Sequence, residues 1–183
     1  MSHSADPSTE NPVTVRFETL TARHNVAPFD CNNLTLTKWL RDEALPAMIS
    51  GTHTTYVALE EETGEEAVVG YVTLQAAFIL YPPRKPGGHY RHIVPVVEIA
   101  KLGRDRNWRY RKLGVRLVLE GLRVALDVQD AIGGMAGVQL TTTDKGRHLY
   151  TQGPILFEPH PAANSKADFY MPMQDVRSLI RVS

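Results

Sequence analysis

The chain has 183 residues, of which 43% are hydrophobic and 22% charged, and this balance predicts one soluble globular domain from residue 13 to 183. It contains no uncharged apolar run of about 18 residues or more, the length that a transmembrane helix needs. Residues 1–12 are polar and acidic, unlike a signal or transit peptide, and we expect them to be disordered in a cytoplasmic protein. The single cysteine, Cys31, excludes an internal disulfide and a cysteine-rich zinc site.

The formal net charge is zero, but the charge is unevenly distributed along the chain. Residues 84–123 hold eleven Lys or Arg and three acidic residues, a net charge of +8. Residues 1–83 carry −7 and residues 124–183 carry −1. A dense cationic segment favours a polyanionic ligand, either a phosphorylated cofactor or a nucleic acid. The alternative is a solvated face whose charges are balanced by neighbouring acids.

Hydrophobic periodicity predicts an α+β or mixed α/β domain around one sheet. In chain order the pattern predicts strand 15–20, helix 36–44, strands 54–60, 67–80 and 93–103, helix 113–131, strand 137–143, a short helix 144–150, strands 155–159 and 167–173, and helix 174–180. We expect Pro46 to end or kink the first helix, Gly133 and Gly134 to end the second, and Asp144 to cap the third. The acidic residues 61–66 predict a hairpin turn, and the proline-rich residues 81–92 predict a basic loop that contacts substrate.

The segment with the clearest chemical meaning is the basic turn 104–116, which joins a predicted strand to an amphipathic helix. Such a turn presents backbone N–H groups at the positive end of the helix, and with the nearby Arg and Lys side chains these groups suit a pyrophosphate. The sequence contains neither the G-x-G-x-x-G motif of dinucleotide-binding folds nor the G-x-x-x-x-G-K-[S/T] motif of a P-loop.

Within this turn, Arg109 to Gly114 resembles the acetyl-CoA-binding motif of the GNAT superfamily of N-acetyltransferases, Gln/Arg-x-x-Gly-x-Gly/Ala. Arg109 and Gly114 match the motif, whereas Lys112 stands where a glycine is usual. Residues 29–40 resemble the Phe-x-Cys-Gly…Leu…Leu opening of the toxin branch, with Asn32 in place of the glycine. Members of that branch belong to toxin–antitoxin pairs and acetylate aminoacyl-tRNA. The order and spacing of segments from about residue 14 to 175 follow this branch.

The resemblance implies a GNAT-like fold, in which a single mostly antiparallel sheet of six to seven strands is flanked by helices. It implies acetyl-CoA as cofactor, with the main chain of Leu102, Gly103 and Arg104 on the pantetheine arm. It places the pyrophosphate on seven further residues: Arg109, Tyr110, Arg111, Lys112, Leu113, Gly114 and Val115. Lys112 either adds a charge contact to the cofactor or obstructs it.

Tyr150 lies where the branch has its late Phe-Tyr, and the resemblance implies that it protonates the departing CoA thiolate. The alternative is a structural tyrosine that packs its ring and bonds its hydroxyl locally. Glu98 lies on the predicted fourth strand, where some GNAT enzymes carry a base. A water molecule, or no dedicated base, would also suffice for a weakly basic amine.

Three functions remain open from the sequence. The leading one is acetylation of the amino group of aminoacyl-tRNA by a toxin with an antitoxin partner, with no membrane contact and with a homodimer left open. The candidate nucleic-acid contacts are five basic residues of the loop: Arg84, Lys85, His89, Arg91 and His92. The second is a GNAT enzyme for a small-molecule or protein amine, and the third is a catalytically inactive binding module. No metal site is expected, because His89 and His92 have no visible third ligand.

Overall fold

The structure is a computed structural model, and it describes residues 14–61, 67–81, 92–109, 112–162 and 166–181. The predicted tail, the interior of the acidic turn and most of the basic loop lie outside the described residues. The elements follow one another in this order: β1 (Val15–Thr19), α1 (Leu34–Lys38), a π-helical turn (Trp39–Glu43), α2 (Ala44–Ile49), β2 (Thr54–Glu60), β3 (Val68–Tyr81), β4 (His92–Arg104), a 3-10 turn (Arg106–Trp108), α3 (Leu113–Ile132), β5 (Gly137–Leu140), α4 (Asp144–Thr151), β6 (Glu158–Pro159), β7 (Phe169–Pro172) and α5 (Met173–Ile180).

In the described part of the chain, seven strands form one sheet in the order β1-β2-β3-β4-β5-β7-β6. Neighbouring strands are antiparallel except for β4 and β5, which are parallel. A parallel pair needs a crossover, and α3 supplies it by packing across β3 and β4. The predicted α+β class, a single mostly antiparallel sheet flanked by helices, is therefore confirmed. None of the helices in the described ranges has the length and apolar character to cross a membrane.

Helices cover both sides of the sheet because side chains alternate along β2 and β3. We call α1, the π-helical turn and α2 together the first helical segment. Val57 and Tyr71 are fully buried in a hydrophobic cluster that includes residues of this segment. Their neighbours Ala58 and Val72 belong to clusters that contain residues of α3. On α3, a Cβ atom added at Gly121 would lie 3.3 Å from the Val72 side chain, so the glycine permits close packing of helix and sheet.

The first helical segment is longer than predicted, because it runs through Pro46 to Ile49. Between α1 and α2 lies the π-helical turn, in which the Ala44 amide donates to the Trp39 carbonyl five residues earlier. Proline lacks an N–H group and normally interrupts the helical hydrogen bonds. Here the widened turn directly before Pro46 takes up that irregularity. Of the two expected effects of Pro46, an end of the helix was wrong, and the irregularity lies in the turn just before the proline.

Strand β5 is shorter than the predicted strand 137–143, because it ends at Leu140. Beyond that residue the Thr142 amide donates to the Asp168 carboxylate at 2.8 Å and so turns away from the ladder. The carbonyl of Leu140 still accepts from the Asp168 amide at 2.9 Å, so the chain leaves the sheet at a defined point.

The segment around α4 also differs from the prediction. The N-cap of α4 is Thr143, and Asp144 is the first helical residue rather than the cap. Of the predicted strand 155–159, only the last two residues pair with β7. The reason is that the Phe157 amide donates to the Tyr150 carbonyl at 2.9 Å and closes the end of α4.

The middle of the sheet contains an irregularity that opens one edge of β4. The pairing of β4 with β3 shifts register between Thr73 and Leu74, which leaves Ala100 as an extra residue in β4. The parallel ladder from β4 to β5 covers only residues 97–99. Among the described residues, the stretch 100–104 of β4 therefore has a strand neighbour on one side only, the β3 side.

Candidate functional site

Three candidate cofactor residues lie on the open stretch of β4 beyond the bulge. Leu102, Gly103 and Arg104 follow one another along the edge that β5 leaves uncovered. A Cβ atom at Gly103 would lie 2.6 Å from the Tyr71 ring and 3.3 Å from that of Phe29, so glycine alone fits without displacement. An uncovered strand edge presents main-chain N–H and C=O groups. These groups suit an extended chain that carries amides, such as pantetheine.

The candidate phosphate-binding turn leads into the first turn of α3. Lys112 is the N-cap, and its carbonyl accepts hydrogen bonds from the amides of Val115 (3.1 Å) and Arg116 (3.2 Å). Within the described ranges, the amides of Leu113 and Gly114 have no acceptor. Two free N–H groups at the positive end of a 20-residue helix suit a phosphate group. The Val115 amide is already engaged, so it contributes less to such a site than the sequence motif implies.

The backbone of Lys112 explains why a glycine is usual at this position. Its φ is +52° and its ψ is 15°, which lie in the left-handed region. A residue with a Cβ atom adopts this conformation at a cost of about 1–2 kcal/mol. Lys112 is exposed and therefore keeps, with a charged side chain, the turn that a glycine would make.

We expect Lys112→Gly to change the free energy of unfolding by less than about 1 kcal/mol. Relief of the left-handed strain is offset by the larger conformational freedom of glycine in the unfolded chain. Lys112→Val should cost about 1–2 kcal/mol, because a β-branched residue disfavours positive φ. Urea denaturation of both variants measures the difference, and equal stability of the two would contradict a left-handed backbone at this residue.

Much of the cationic segment is engaged within the protein. The contacts are an ion pair of Arg106 with Asp30 (3.3 Å), ion pairs of Arg123 with Glu120 and Asp127 (2.7 Å each), a hydrogen bond from Arg116 to the Val15 carbonyl (3.1 Å), and the ammonium of Lys101 over the Trp39 ring (5.3 Å). Arg109 and Lys112 are exposed in the turn, and neither has an acidic partner among the described residues. Within the part of the chain that the structure describes, Arg109 and Lys112 therefore flank the N-terminus of α3 as cations without an acidic partner.

Several predicted site residues fall on parts of the chain that the structure does not describe. These are Arg84, Lys85, His89, Arg91, Tyr110 and Arg111. His92 is the first residue of β4. In the described ranges, no three His, Cys, Asp or Glu side chains form a group that could hold a metal ion.

Tyr150 lies on α4, which contacts the beginning of α3. A Cβ atom added at Gly114 would lie 3.6 Å from the Leu149 side chain, so the two elements meet beside the candidate phosphate site. Tyr150 is 6% exposed, and its ring packs against Phe157 (centroids 5.6 Å apart) and Phe169 (6.4 Å). Burial raises the pKa of Tyr150 to about 12, which keeps the phenol protonated.

The hydroxyl of Tyr150 forms no hydrogen bond with any of the described residues. Buried polar groups in folded proteins almost always have a partner, so a buried donor without one needs an explanation. The structural alternative, in which the hydroxyl bonds locally, is therefore not what the described residues show. The ring packs in the core, and no described residue occupies the hydroxyl.

Glu98 lies in β4 just before the bulge, on the opposite side of the sheet from Tyr150. Its neighbours Val97 and Ile99 belong to the core cluster that contains Tyr150, and alternation turns Glu98 the other way. The Glu98 carboxylate oxygen Oε2 accepts hydrogen bonds from the side-chain amides of Gln75 (3.0 Å) and Gln139 (3.3 Å).

The same side of the sheet holds an aromatic pair formed by Trp39 of the π-helical turn and His53, which directly precedes β2. The rings of Trp39 and His53 meet edge to face, with centroids 5.0 Å apart. The Trp39 indole N–H donates to the Thr73 hydroxyl at 3.2 Å, which fixes the ring. Burial and the charge of Lys101 lower the pKa of His53, while the negative charge of Glu98 opposes that effect. Glu98 and this pair therefore share one electrostatic environment.

No family model matches the sequence. Among solved structures, the chain is similar to AtaT in the structure of AtaTR bound with AcCoA, with a TM-score of 0.77 and 22% identity over 90% of this chain and 97% of that one. The similarity to AtaT complexed with acetyl-methionyl-tRNAfMet has a TM-score of 0.75 and 22% identity, over 91% of this chain and 99% of that one. The similarity to a mutant of KacT has a TM-score of 0.75 and 18% identity, over 90% of this chain and 98% of that one. The chain has the fold of AtaT and KacT. This similarity agrees with the fold that the sequence resemblance implies.

Three polar residues of the site were not found from the sequence: Gln75, Gln139 and His160. Gln75 and Gln139 pair directly with Glu98 in the sheet, one from β3 and the other from β5. The available signal was a polar residue within each of three largely apolar strands. That signal becomes informative only when the strand register is known, because the residues are far apart in sequence.

Proposed function

We propose that the protein is an N-acetyltransferase that transfers an acetyl group from acetyl-CoA to a primary amine. The observation that carries the proposal is the Tyr150 hydroxyl, which is buried, protonated and without a partner in the described residues. It belongs to the helix that meets the N-terminus of α3, where two amides without an acceptor among the described residues suit a phosphate. A buried acid beside a phosphate site fits the release of a thiolate from a phosphorylated carrier.

The described residues fit acetyl-CoA at both ends. The open edge at 102–104 would bond the pantetheine amides through the main chain, and Gly103 leaves that edge without a protruding side chain. The amides of Leu113 and Gly114, with Arg109 and Lys112 nearby, would hold the pyrophosphate. When bound, acetyl-CoA supplies an acetyl group activated as a thioester.

Tyr150 would hold its proton at the phenolic oxygen until the carbon–sulfur bond breaks and would then donate it to sulfur. Its pKa of about 12 keeps the proton in place across the physiological pH range. The acceptor nitrogen loses one proton as the new nitrogen–carbon bond forms, and Tyr150 regains one from solvent. Atoms and charge therefore balance for a neutral amine.

The acceptor that we propose is the amino group of aminoacyl-tRNA, with the protein acting in the cytoplasm as a toxin held by an antitoxin. Two findings support it: AtaT, which shares the fold, is solved in complex with acetyl-methionyl-tRNAfMet, and an AtaT mutant toxin is solved with the C-terminus of its antitoxin AtaR. The net charge of +8 over residues 84–123 points in the same direction.

A small-molecule or protein amine is the second candidate acceptor, and one observation favours it. Arg106, Arg116 and Arg123 of the basic segment are engaged by protein groups, which leaves fewer cations for a polyanion. In that case Arg109 and Lys112 would serve only the phosphates of CoA.

Thermal unfolding with and without acetyl-CoA tests the cofactor first. A ligand at about 100 times its Kd adds about 2.7 kcal/mol, which shifts the melting temperature by several degrees in a domain of this size. Labelled acetyl-CoA is then offered with charged tRNA, with peptides and with small amines. Label in charged tRNA, with affinity that falls steeply as salt rises, supports the first acceptor. Label in peptides or small amines supports the second acceptor. If millimolar acetyl-CoA does not shift the melting temperature, the proposed enzyme activity is overturned in favour of a binding module.

A further inference from the structure

A polar cluster interrupts the side of the sheet opposite α3. It consists of Gln75 from β3, Glu98 from β4, Gln139 from β5, and His160, which directly follows β6. Gln139 is only 7% exposed, and the apolar residues on this side of the sheet include the buried Ile79 and Val96. Three strands and the turn after β6 bring these side chains into one continuous set of hydrogen bonds.

The hydrogen bonds of the cluster form a chain of donors and acceptors that runs from the Ala162 amide through His160 and Gln139 to Glu98. The Ala162 amide donates to Nδ1 of His160 at 3.1 Å, so Nδ1 carries no proton. Burial lowers the pKa of His160, and the neutral ring therefore has its proton on Nε2. Nε2 lies 3.2 Å from the Gln139 side-chain oxygen and donates to it. The orientation of the Gln139 amide is fixed in this way, with its NH₂ group toward Glu98.

The outcome at Glu98 is a carboxylate with one oxygen occupied and one available. Oε2 accepts from the amides of Gln75 and Gln139, whereas Oε1 accepts from none of the described residues. Neither a Lys nor an Arg of the described ranges forms an ion pair with Glu98. A half-buried carboxylate that is held by neutral donors and has no countercharge is suited to bind an amino group.

Glu98 lies in the β4–β5 ladder close to the gap in the sheet. It lies two residues before Ala100, where β4 parts from β5 and the open edge begins. Tyr150 belongs to the core on the α3 side, and Glu98 faces the other side. An acyl group held in the gap would therefore have its leaving sulfur toward one side and its attacking nitrogen toward the other.

We infer that Gln139 and His160 are positioning residues that hold Glu98 so that Oε1 receives the amino group of the acceptor. This inference rests on the proposed function. The amine nitrogen bonds to the acetyl carbon, its proton passes to Oε1 of Glu98, the carbon–sulfur bond breaks, and the sulfur takes the Tyr150 proton. Glu98 then releases its proton to solvent, and Tyr150 regains one.

The test is a double-mutant cycle with a conservative rescue. His160→Phe keeps a ring but removes the Nε2 donor, and Gln139→Leu removes the group that it orients. Each should lower kcat by about 10- to 100-fold, because a misplaced catalytic group costs that much. The KM for acetyl-CoA should not change, since the cluster faces away from the phosphate site. The double variant should be no slower than the worse single variant, because His160 acts only through Gln139.

His160→Gln supplies a side-chain N–H close to the position of Nε2 and should retain most of the wild-type kcat. His24→Phe is the matched control, because His24 is buried in a separate local network with Glu18 and Thr21. It should lower the melting temperature without changing kcat. Additive losses, a His160→Gln variant as slow as His160→Phe, or an unchanged kcat in His160→Phe would each overturn the inference.

A readout that needs no substrate separates this inference from the proposed function. The ¹⁵N shifts of the His160 ring in the free protein should show the Nε2–H tautomer, and a proton on Nδ1 overturns the positioning chain even if acetyl transfer is observed. A wild-type protein that transfers no acetyl group to any acceptor pool overturns the proposed function and, with it, the role given to Glu98.

Discussion

Tyr150→Phe should lower kcat for acetyl transfer by about 10²- to 10⁴-fold, the usual range for loss of a general acid. The phenylalanine ring keeps the contacts with Phe157 and Phe169. The hydroxyl has no partner in the described part of the chain, so its removal leaves no buried group unsatisfied. The free energy of unfolding should therefore change by less than about 1 kcal/mol, and acetyl-CoA should still protect the variant against heat.

Single-turnover rates with acetyl-CoA measure this loss, and the choice of leaving group sharpens it. An acetyl thioester whose thiol has a lower pKa leaves without help from an acid, so the variant should lose less rate with it than with acetyl-CoA. Tyr56→Phe is the control, because Tyr56 is half-buried against the same core but lies on β2. If Tyr150→Phe matches the wild type with both thioesters, Tyr150 is a structural residue only.

Strong periodicity made most of the fold predictable. The strand 54–60 was predicted with the bounds that β2 has, and α3 was predicted to within one residue at its end. The end of α3 was clear because Gly133 and Gly134 adopt φ values of 69° and 80°, which glycine favours. Signals of this kind are local, since they depend on residues that are neighbours in sequence.

Features that depend on pairing between distant segments could not be predicted in the same way. The bulge at Ala100 exists only as a mismatch between β4 and β3, and nothing in the residues 98–102 marks it. The end of β5 depends on the Asp168 carboxylate, which the fold brings to the Thr142 amide from 26 residues away. Local propensity does not contain such information, because the competing partners come from elsewhere in the chain.

In the candidate site, too, some residues could be predicted from local signals and others depend on pairing between distant segments. The candidate cofactor residues 102–104 and 109–115 could be proposed from the resemblance, and the fold brings Gly103 and Leu113 close to the same residue, Gly70. The partners of Glu98 could not be proposed, since Gln75, Gln139 and His160 meet it through strand register and a turn after β6. The resemblance therefore predicted where the cofactor binds, whereas only tertiary structure brings together the groups that we propose for the acceptor.

Gly103→Ala should destabilise the protein by about 1–3 kcal/mol, the cost of overfilling a packed core. The added methyl group would lie 2.6 Å from the Tyr71 ring. That ring is fully buried, and its hydroxyl donates to the Leu36 carbonyl at 2.8 Å, so it cannot swing away. Phe29, also fully buried, blocks the remaining direction, with its ring centroid 5.5 Å from that of Tyr71. Strand β4 must therefore shift, and with it the edge proposed to bond pantetheine.

Gly114→Ala is the matched comparison for this substitution. Its Cβ atom would meet Leu149 at 3.6 Å, an ordinary contact, and alanine is favoured over glycine in a helix by about 1 kcal/mol. Urea denaturation should thus rank Gly114→Ala at or above the wild type and Gly103→Ala below it. Acetyl-CoA should also raise the melting temperature of Gly103→Ala less than that of the wild type. If Gly103→Ala is as stable as Gly114→Ala and is equally protected, the edge of β4 yields to an added side chain, and glycine there does not define the cofactor path.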